Sequence, residues 1–151
     1  MKKILILLIA ITLAIFEAYQ GQGTSIAEGL LQTFDVANSR TDNNSLQQAY
    51  NNKRSDLQIE GAGVVIKVLR DDTKGSRHQK FILRNSTGQS VLVAHNIDLA
   101  PRLDGIKKGD TVEFYGEYEW NAKGGVIHWT HKDPKGYHAS GWLRFKGRTY
   151  Q

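Results

Sequence analysis

The sequence predicts a small, mainly β barrel preceded by short helices. From residue 57 onward, apolar and polar residues alternate in short runs, which is the period of a β-strand. Glycine-bearing turns separate the runs, and one sizeable insert, residues 96–108, lies between the third run and the fourth. A long first strand, a hairpin, an insert and a second hairpin indicate an OB-like barrel of five or six strands. A small SH3-like barrel is the alternative.

Residues 1–23 have the pattern of a signal peptide. Two lysines precede an apolar run from Ile4 to Phe16, which is as long as a signal-peptide core and short for a membrane span. Gly21 and Gly23 place small residues at the two positions that a signal peptidase reads. We therefore expect an exported protein, periplasmic or secreted, with no stable membrane insertion after cleavage. An uncleaved anchor is the alternative.

Residues 24–56 are predicted to be a helical or linker segment. Two capping-box patterns, Ser25 with Glu28 and Ser45 with Gln48, each begin a short stretch with apolar residues on one face. In the second stretch these residues are Leu46, Ala49 and Tyr50. We expect these weakly apolar helices to pack on one side of the barrel domain or to form a partly frayed stalk.

The barrel domain is predicted over residues 57–151. Its first strand lies within Gly61–Leu69, and strict alternation would place Val64, Ile66 and Val68 on one face. Later strands are predicted over residues 78–85, 89–95, 111–120, 126–131 and 141–145. A tight glycine turn joins the first two of these into a hairpin.

Composition excludes several chemistries. The chain has no cysteine, which excludes disulfides, thiolate zinc sites, iron–sulfur clusters and a thiol nucleophile. The net charge is +5, and the positive excess lies in the barrel domain. Such an excess suits an anionic partner, but it is weaker than the charge of a protein that coats DNA.

The densest cluster of reactive side chains follows the predicted fifth strand. Its candidate ligands for a divalent metal are His128, His131, Asp133 and His138. Because residues three apart on a strand face opposite sides, a site shared by the first two requires a bend after Trp129. The alternative is that these histidines only hydrogen-bond to loops and strand ends. Zinc-helix, P-loop and dinucleotide motifs are absent from the sequence. The sequence therefore indicates no definite cofactor, and a divalent metal is the candidate that these side chains suggest.

A second cluster ends the predicted third strand. Its candidate catalytic residues, together with one from the first cluster, are His95, Asp98, Arg102 and His131. A histidine beside an aspartate can act as an oriented base, and an arginine can clamp an anion. The alternative is structural: Asn96 and Asp98 would cap the loop, and Arg102 would pair with Asp98 or Asp104.

Basic and aromatic residues are interleaved in the barrel domain. The candidate binding residues are His78, Lys80, Asn96, Trp129, Tyr137 and Trp142. Rings beside cations suit single-stranded nucleic acid, and aromatic platforms also suit polysaccharides, although most such rings in a small barrel belong to the core. Glu113, Glu117 and Glu119 oppose a uniformly basic surface. They are expected either to pair across strands with Lys80 and Arg84 or to face a metal.

Residues 61–151 resemble a family of small exported bacterial proteins of unknown function. The resemblance rests above all on the HWTHxDP motif at His128–Pro134, and on strings such as His95–Arg102 and Phe114–Trp120. It implies export and a single domain, and it implies no catalytic residue.

Three functions remain open from the sequence. The leading hypothesis is an exported binding module for a polymer, either nucleic acid or polysaccharide. The second is a metal-assisted hydrolase, such as a nuclease or phosphodiesterase. The third is a structural or inhibitory protein that binds another protein. The sequence contains no feature that indicates an oligomeric state.

Overall fold

The structure, a computed structural model, describes residues 44–151. The predicted signal peptide and the first predicted helix lie outside the described residues. Among the described residues, no helix is long and apolar enough to cross a membrane.

One short helix precedes seven strands. The elements are α1 (residues 44–51), β1 (Leu57–Val68), β2 (His78–Arg84), β3 (Ser90–Asn96), β4 (Thr111–Glu119), β5 (Val126–His128), β6 (Trp142–Phe145) and β7 (Arg148–Tyr150). The capping-box pattern predicted Ser45 as the N-cap of this helix. Helix α1 already includes residue 44, so Ser45 lies inside the helix.

Five strands close into a barrel. They are hydrogen-bonded in the order β1-β2-β3-β5-β4, and β4 pairs back with β1. Neighbouring strands are antiparallel except β3 and β5, which are parallel. This topology confirms the predicted OB-like barrel. The prediction of five or six strands missed β7, which forms a hairpin with β6. Lys146 and Gly147 both have positive φ angles, as the tight turn of this hairpin requires.

The core follows the alternation of the strands. On β4, Val112, Phe114 and Tyr118 face inward and are fully buried, as their period-two spacing predicts. Helix α1 adds Leu46 and Ala49 to the same core. The helix is also tied to the barrel by a hydrogen bond from Trp120 Nε1 to the carbonyl of Tyr50, at 3.1 Å.

A β-bulge interrupts the alternation predicted for β1. Val65 pairs with Leu83 and Lys67 pairs with Ile82, so the residue between them on β1 has no partner on β2. Before the bulge the strand alternates without a break. Val65 is buried, and its neighbour Val64 lies on the outer face and is 44% exposed.

The chain leaves the barrel after β5 and returns as β6. Both of these short strands pair with β4. Trp129 begins this excursion with a φ of +51°, an unusual conformation for a residue with a side chain. The amide of Gly141 donates to the carbonyl of His131 at 2.9 Å, which brings the two ends together. We call residues 131–141 the Ω-loop, since its ends meet and its length is typical of such loops.

Gly141 fixes how closely the end of the Ω-loop approaches the barrel. A Cβ atom at this position would lie 2.0 Å from the carbonyl oxygen of Trp129 and 2.5 Å from that of Tyr115. Only glycine fits there without moving backbone. The Ω-loop is therefore held directly beside the outer face of β4.

Candidate metal centre

The outer face of β4 carries four side chains in a row: Glu113, Tyr115, Glu117 and Glu119. Glu113 receives a hydrogen bond from Arg144 at 2.8 Å. The ring of Tyr115 lies beside that of Trp142, with centroids 6.2 Å apart. The remaining two carboxylates, on Glu117 and Glu119, face β5. The predicted pairing of these glutamates with Lys80 is wrong, because Lys80 pairs with Asp72 at 3.2 Å.

Glu117, Glu119 and His128 converge on one point. The Nε2 atom of His128 lies 3.3 Å from Glu117 Oε1 and 3.9 Å from Glu119 Oε1. One donor atom from each of the three residues lies within 4.8 Å of the other two. Register explains the convergence, because Glu117 is paired directly with His128 across β4 and β5. We call these three residues the Glu-Glu-His cluster.

His138 reaches the same carboxylate from the Ω-loop. Its Nε2 atom lies 2.8 Å from Glu117 Oε2, the oxygen that His128 does not face. Its ring is stacked on that of Trp129, with centroids 4.2 Å apart and planes 5° apart. Glu117 is only 14% exposed, so a largely buried carboxylate lies between two imidazoles.

Asp133 shapes the Ω-loop. Its carboxylate accepts hydrogen bonds from the amides of Lys135, Tyr137 and His138, at 2.9, 2.6 and 2.8 Å. These amides lower the pKa of Asp133, and the hydrogen bond from Lys135 is the largest cause. The carboxylate therefore positions the backbone that carries His138.

Buried polar atoms without a hydrogen-bond partner gather around Glu117. Five such side-chain atoms occur in residues 44–151, and three belong to Gln58, His128 and His138. The unpartnered atoms are Gln58 Nε2, His128 Nε2 and His138 Nδ1. His138 contacts Glu117 through its other ring nitrogen, Nε2, and Gln58 is the direct partner of Glu117 on β1. His128 Nε2 lies near both carboxylates without the alignment of a hydrogen bond. Because buried polar atoms are nearly always paired with protein or ordered water, such a concentration marks a place where water or another ligand would bind.

His95 provides the opposite case inside the barrel. It is fully buried on β3, and its Nε2 atom lies 3.1 Å from the carbonyl of Pro101. A carbonyl only accepts, so Nε2 carries the proton, and Nδ1 accepts from the Thr130 hydroxyl at 2.8 Å. Burial lowers the pKa of His95 to about 4, so the ring stays neutral.

The structure brings together two of the four predicted metal ligands, His128 and His138. His131 is buried, and its Nδ1 atom donates to the carbonyl of Lys132 at 2.7 Å. Asp133 is engaged with the amides of its own loop. The predicted bend falls at Trp129 and separates His131 from His128, so that the two do not share a ligand position.

The predicted catalytic residues have separate partners. His95 faces the barrel interior. Asp98 accepts hydrogen bonds from the backbone amide and the side chain of Arg77, both at 2.6 Å, and the backbone bond is the largest cause that lowers its pKa. Arg102 pairs with Asp71 at 2.7 Å and lies 3.7 Å from Asp104. The alternative prediction, that Arg102 pairs with Asp98 or Asp104, is therefore correct for Asp104 and wrong for Asp98. The pairing with Asp71 was not predicted.

The predicted binding residues are also dispersed. His78 Nδ1 donates to the carbonyl of Ser76 at 2.8 Å, and Asn96 accepts from the amide of Asp98 at 3.0 Å. Arg144 covers the ring of Trp142, 4.7 Å from its centroid. Two further residues remain accessible: Tyr137 is 89% exposed at the Ω-loop, and Trp129 is half-buried.

Sequence reasoning left the role of Glu117 and Glu119 open and missed Gln58. The two glutamates carried a usable signal, because a Glu-x-Glu spacing on a strand places both carboxylates on one face. Gln58 carried none, since its nearness to Glu117 depends on the register between β1 and β4.

The chain belongs to the family described as Protein of unknown function (DUF3465), whose model matches residues 29–151. This match confirms the resemblance to a family of unknown function, and it begins well before residue 61, where the resemblance begins. No curated protein matches the sequence.

Proposed function

We propose that this DUF3465 protein binds a divalent transition-metal ion through the Glu-Glu-His cluster. The observation that carries the proposal is the buried, unpartnered Nε2 atom of His128, which faces both carboxylates. Imidazole nitrogen and carboxylate oxygen together form a usual donor set for zinc. A cation at this point would accept the nitrogen lone pair and neutralise the two carboxylates.

His138 would orient the cluster. Its Nε2–H donates to Glu117 Oε2, which leaves Glu117 Oε1 directed toward His128. Hydrogen bonds of this kind to a metal-binding carboxylate fix its rotamer and commonly change metal affinity 10- to 100-fold. The stacked ring of Trp129 and the amides capped by Asp133 hold His138 in that position.

Three protein ligands would leave a position open for water or a substrate, as in catalytic zinc sites. This arrangement favours the metal-assisted hydrolase over the polymer-binding module. The binding module also requires available cations, and three of the candidates, Lys80, Arg102 and Arg144, are engaged with carboxylates. Exposed ion pairs of this kind leave less charge for a polyanion.

Isothermal titration of the full-length protein with Zn²⁺ tests the proposal. We expect one ion per chain for the wild type. His128→Gln and Glu117→Gln each remove a donor and should weaken binding by about 100-fold or more, since losing only an orienting partner costs up to that much. Glu113→Gln is the matched control, because Glu113 lies on the same face of β4 but pairs with Arg144.

The control should bind Zn²⁺ with wild-type affinity. A wild-type protein that binds no Zn²⁺, or variants whose affinities all equal that of the wild type, would rule out the site. Thermal unfolding of the apo-proteins checks that each variant folds. Because all three substituted side chains lie on the outer face, we expect similar unfolding midpoints.

A further inference from the structure

We infer that the ion in the Glu-Glu-His cluster holds a small oxyanion of the phosphate type, whose oxygen accepts a hydrogen bond from Gln58. The inference rests on the proposed metal site and extends it by naming the class of ligand. It follows from the chemical difference between the unpartnered atoms around Glu117.

A metal ion satisfies only some of these atoms. An imidazole nitrogen can give a lone pair to a metal, so the ion completes His128 Nε2. The amide nitrogen of Gln58 carries hydrogens and has no lone pair to give, so it requires an acceptor. Left unpaired and buried, such a donor destabilises the protein. A cation in the cluster therefore leaves the Gln58 amide without an acceptor. An oxyanion bound to that cation can supply the acceptor oxygen.

The position of Gln58 suits this role. It lies directly opposite Glu117 in the β1–β4 ladder, and both residues alternate with buried neighbours, so both side chains occupy the outer face. Directly opposed residues of an antiparallel pair have Cβ atoms about 4.5–5.5 Å apart. His128 lies opposite Glu117 on the other side, in β5, so a ligand bound to the metal would extend across Glu117 to reach the Gln58 amide. An oxyanion with several oxygens can do so, because one oxygen binds the metal and another faces Gln58.

Charge favours an anion once the metal is present. The two carboxylates of the cluster offset the charge of a divalent ion, so the loaded centre is close to neutral. The Ω-loop next to it carries Lys132 and Lys135, both exposed, and neither forms an ion pair within residues 44–151. These lysines raise the local concentration of anions. Without the metal, the same carboxylates repel an oxyanion, so binding of the two is mutually dependent.

Co²⁺ in place of Zn²⁺ makes the coordination visible. We expect the visible absorption bands of the Co²⁺-loaded full-length protein to shift saturably with inorganic phosphate. Gln58→Leu should weaken phosphate binding by about tenfold or more, because a hydrogen bond to a charged group contributes about 1.5–3 kcal/mol. The affinity for Co²⁺ itself should stay unchanged. Gln48→Leu, on the exposed side of α1, is the matched control.

A single-stranded oligonucleotide forms a second arm of the experiment. A shift with both ligands assigns the site to phosphodiesters as well as free phosphate, and a shift with phosphate alone restricts it to the small ion. Bands that respond to pH and ignore both ligands would overturn the inference, since water would then be the oxygen ligand. Failure to bind Co²⁺ would instead remove the metal site, so the two failures are distinguishable.

Discussion

His95 and His128 lie on opposite sides of the barrel wall and differ in how their ring nitrogens are used. Inside, His95 has a partner for each nitrogen, the Thr130 hydroxyl and the Pro101 carbonyl. Outside, His128 Nε2 is buried against two carboxylates and has no hydrogen-bond partner. A fully paired histidine has no capacity left for a ligand, so its contribution is to stability. An unpaired one costs stability unless something binds it.

The segment that follows β5 connects the two environments. His128 faces outward, the backbone reverses at Trp129, and Thr130 then faces the interior, where it meets His95. One short motif thus supplies a donor to the outer cluster and a hydrogen-bond partner to the core. The two halves should respond independently to substitution, since their side chains lie on different faces.

The largest effect we predict is acid sensitivity caused by His95. The unfolded chain protonates this ring near its ordinary pKa of 6.5, whereas the folded chain does so only near 4. Below pH 6.5 the unfolded state therefore binds the additional proton, and stability falls as the pH decreases toward 4. The loss is about 3 kcal/mol across this window, and the contribution is constant above it.

Urea unfolding of the metal-free protein at pH 7 and at pH 4 measures this loss. His95→Gln keeps one donor and one acceptor but cannot titrate, so its stability should change much less between the two pH values. Asp98 and Asp133, whose pKa values are lowered from 3.8, lose their contributions only below that value. A variant with the wild-type pH dependence would show that His95 is not the group responsible.

Most of the fold was predictable because local patterns decide it. Val112, Phe114 and Tyr118 alternate without interruption, so β4 and its buried face were correct from spacing alone. The strict alternation predicted for Val64, Ile66 and Val68 is interrupted by a bulge, which depends on how β1 meets β2 and leaves no local pattern. The last hairpin was missed because β7 has only three residues, too few for a periodic signal.

The site was less predictable than the fold. His128 and His138 were among the four candidate ligands, and the structure places both against Glu117. Gln58 was not, since a glutamine on a strand becomes informative only when its partner, Glu117, is known. Asp133 carries a carboxylate that could bind a metal, but its position in a turn places that carboxylate against backbone amides.

A smaller effect on stability should distinguish the inner side of the barrel wall, at Thr130, from the outer side, at His128. Thr130→Val keeps the shape of the side chain and removes the hydroxyl, so His95 Nδ1 loses its donor inside the core. We expect a loss of about 1–2 kcal/mol of stability with no change in Zn²⁺ affinity. His128→Gln should lower Zn²⁺ affinity with little change in stability. Urea unfolding and Zn²⁺ titration of both variants measure this contrast, and a large fall in Zn²⁺ affinity for Thr130→Val would contradict the separation.

The smallest effect concerns Trp129, whose ring is stacked on His138 beside the outer cluster. Occupation of the cluster should change the emission of this ring, because it alters the charge around Glu117 and the imidazole next to it. Trp129→Phe retains an aromatic ring for the stack, so Zn²⁺ affinity should stay within about twofold while the emission change disappears. Trp142→Phe should preserve the change, since that ring lies beside Tyr115 and under Arg144. If the emission change survives in Trp129→Phe, then it does not report an ion bound in the Glu-Glu-His cluster beside Trp129.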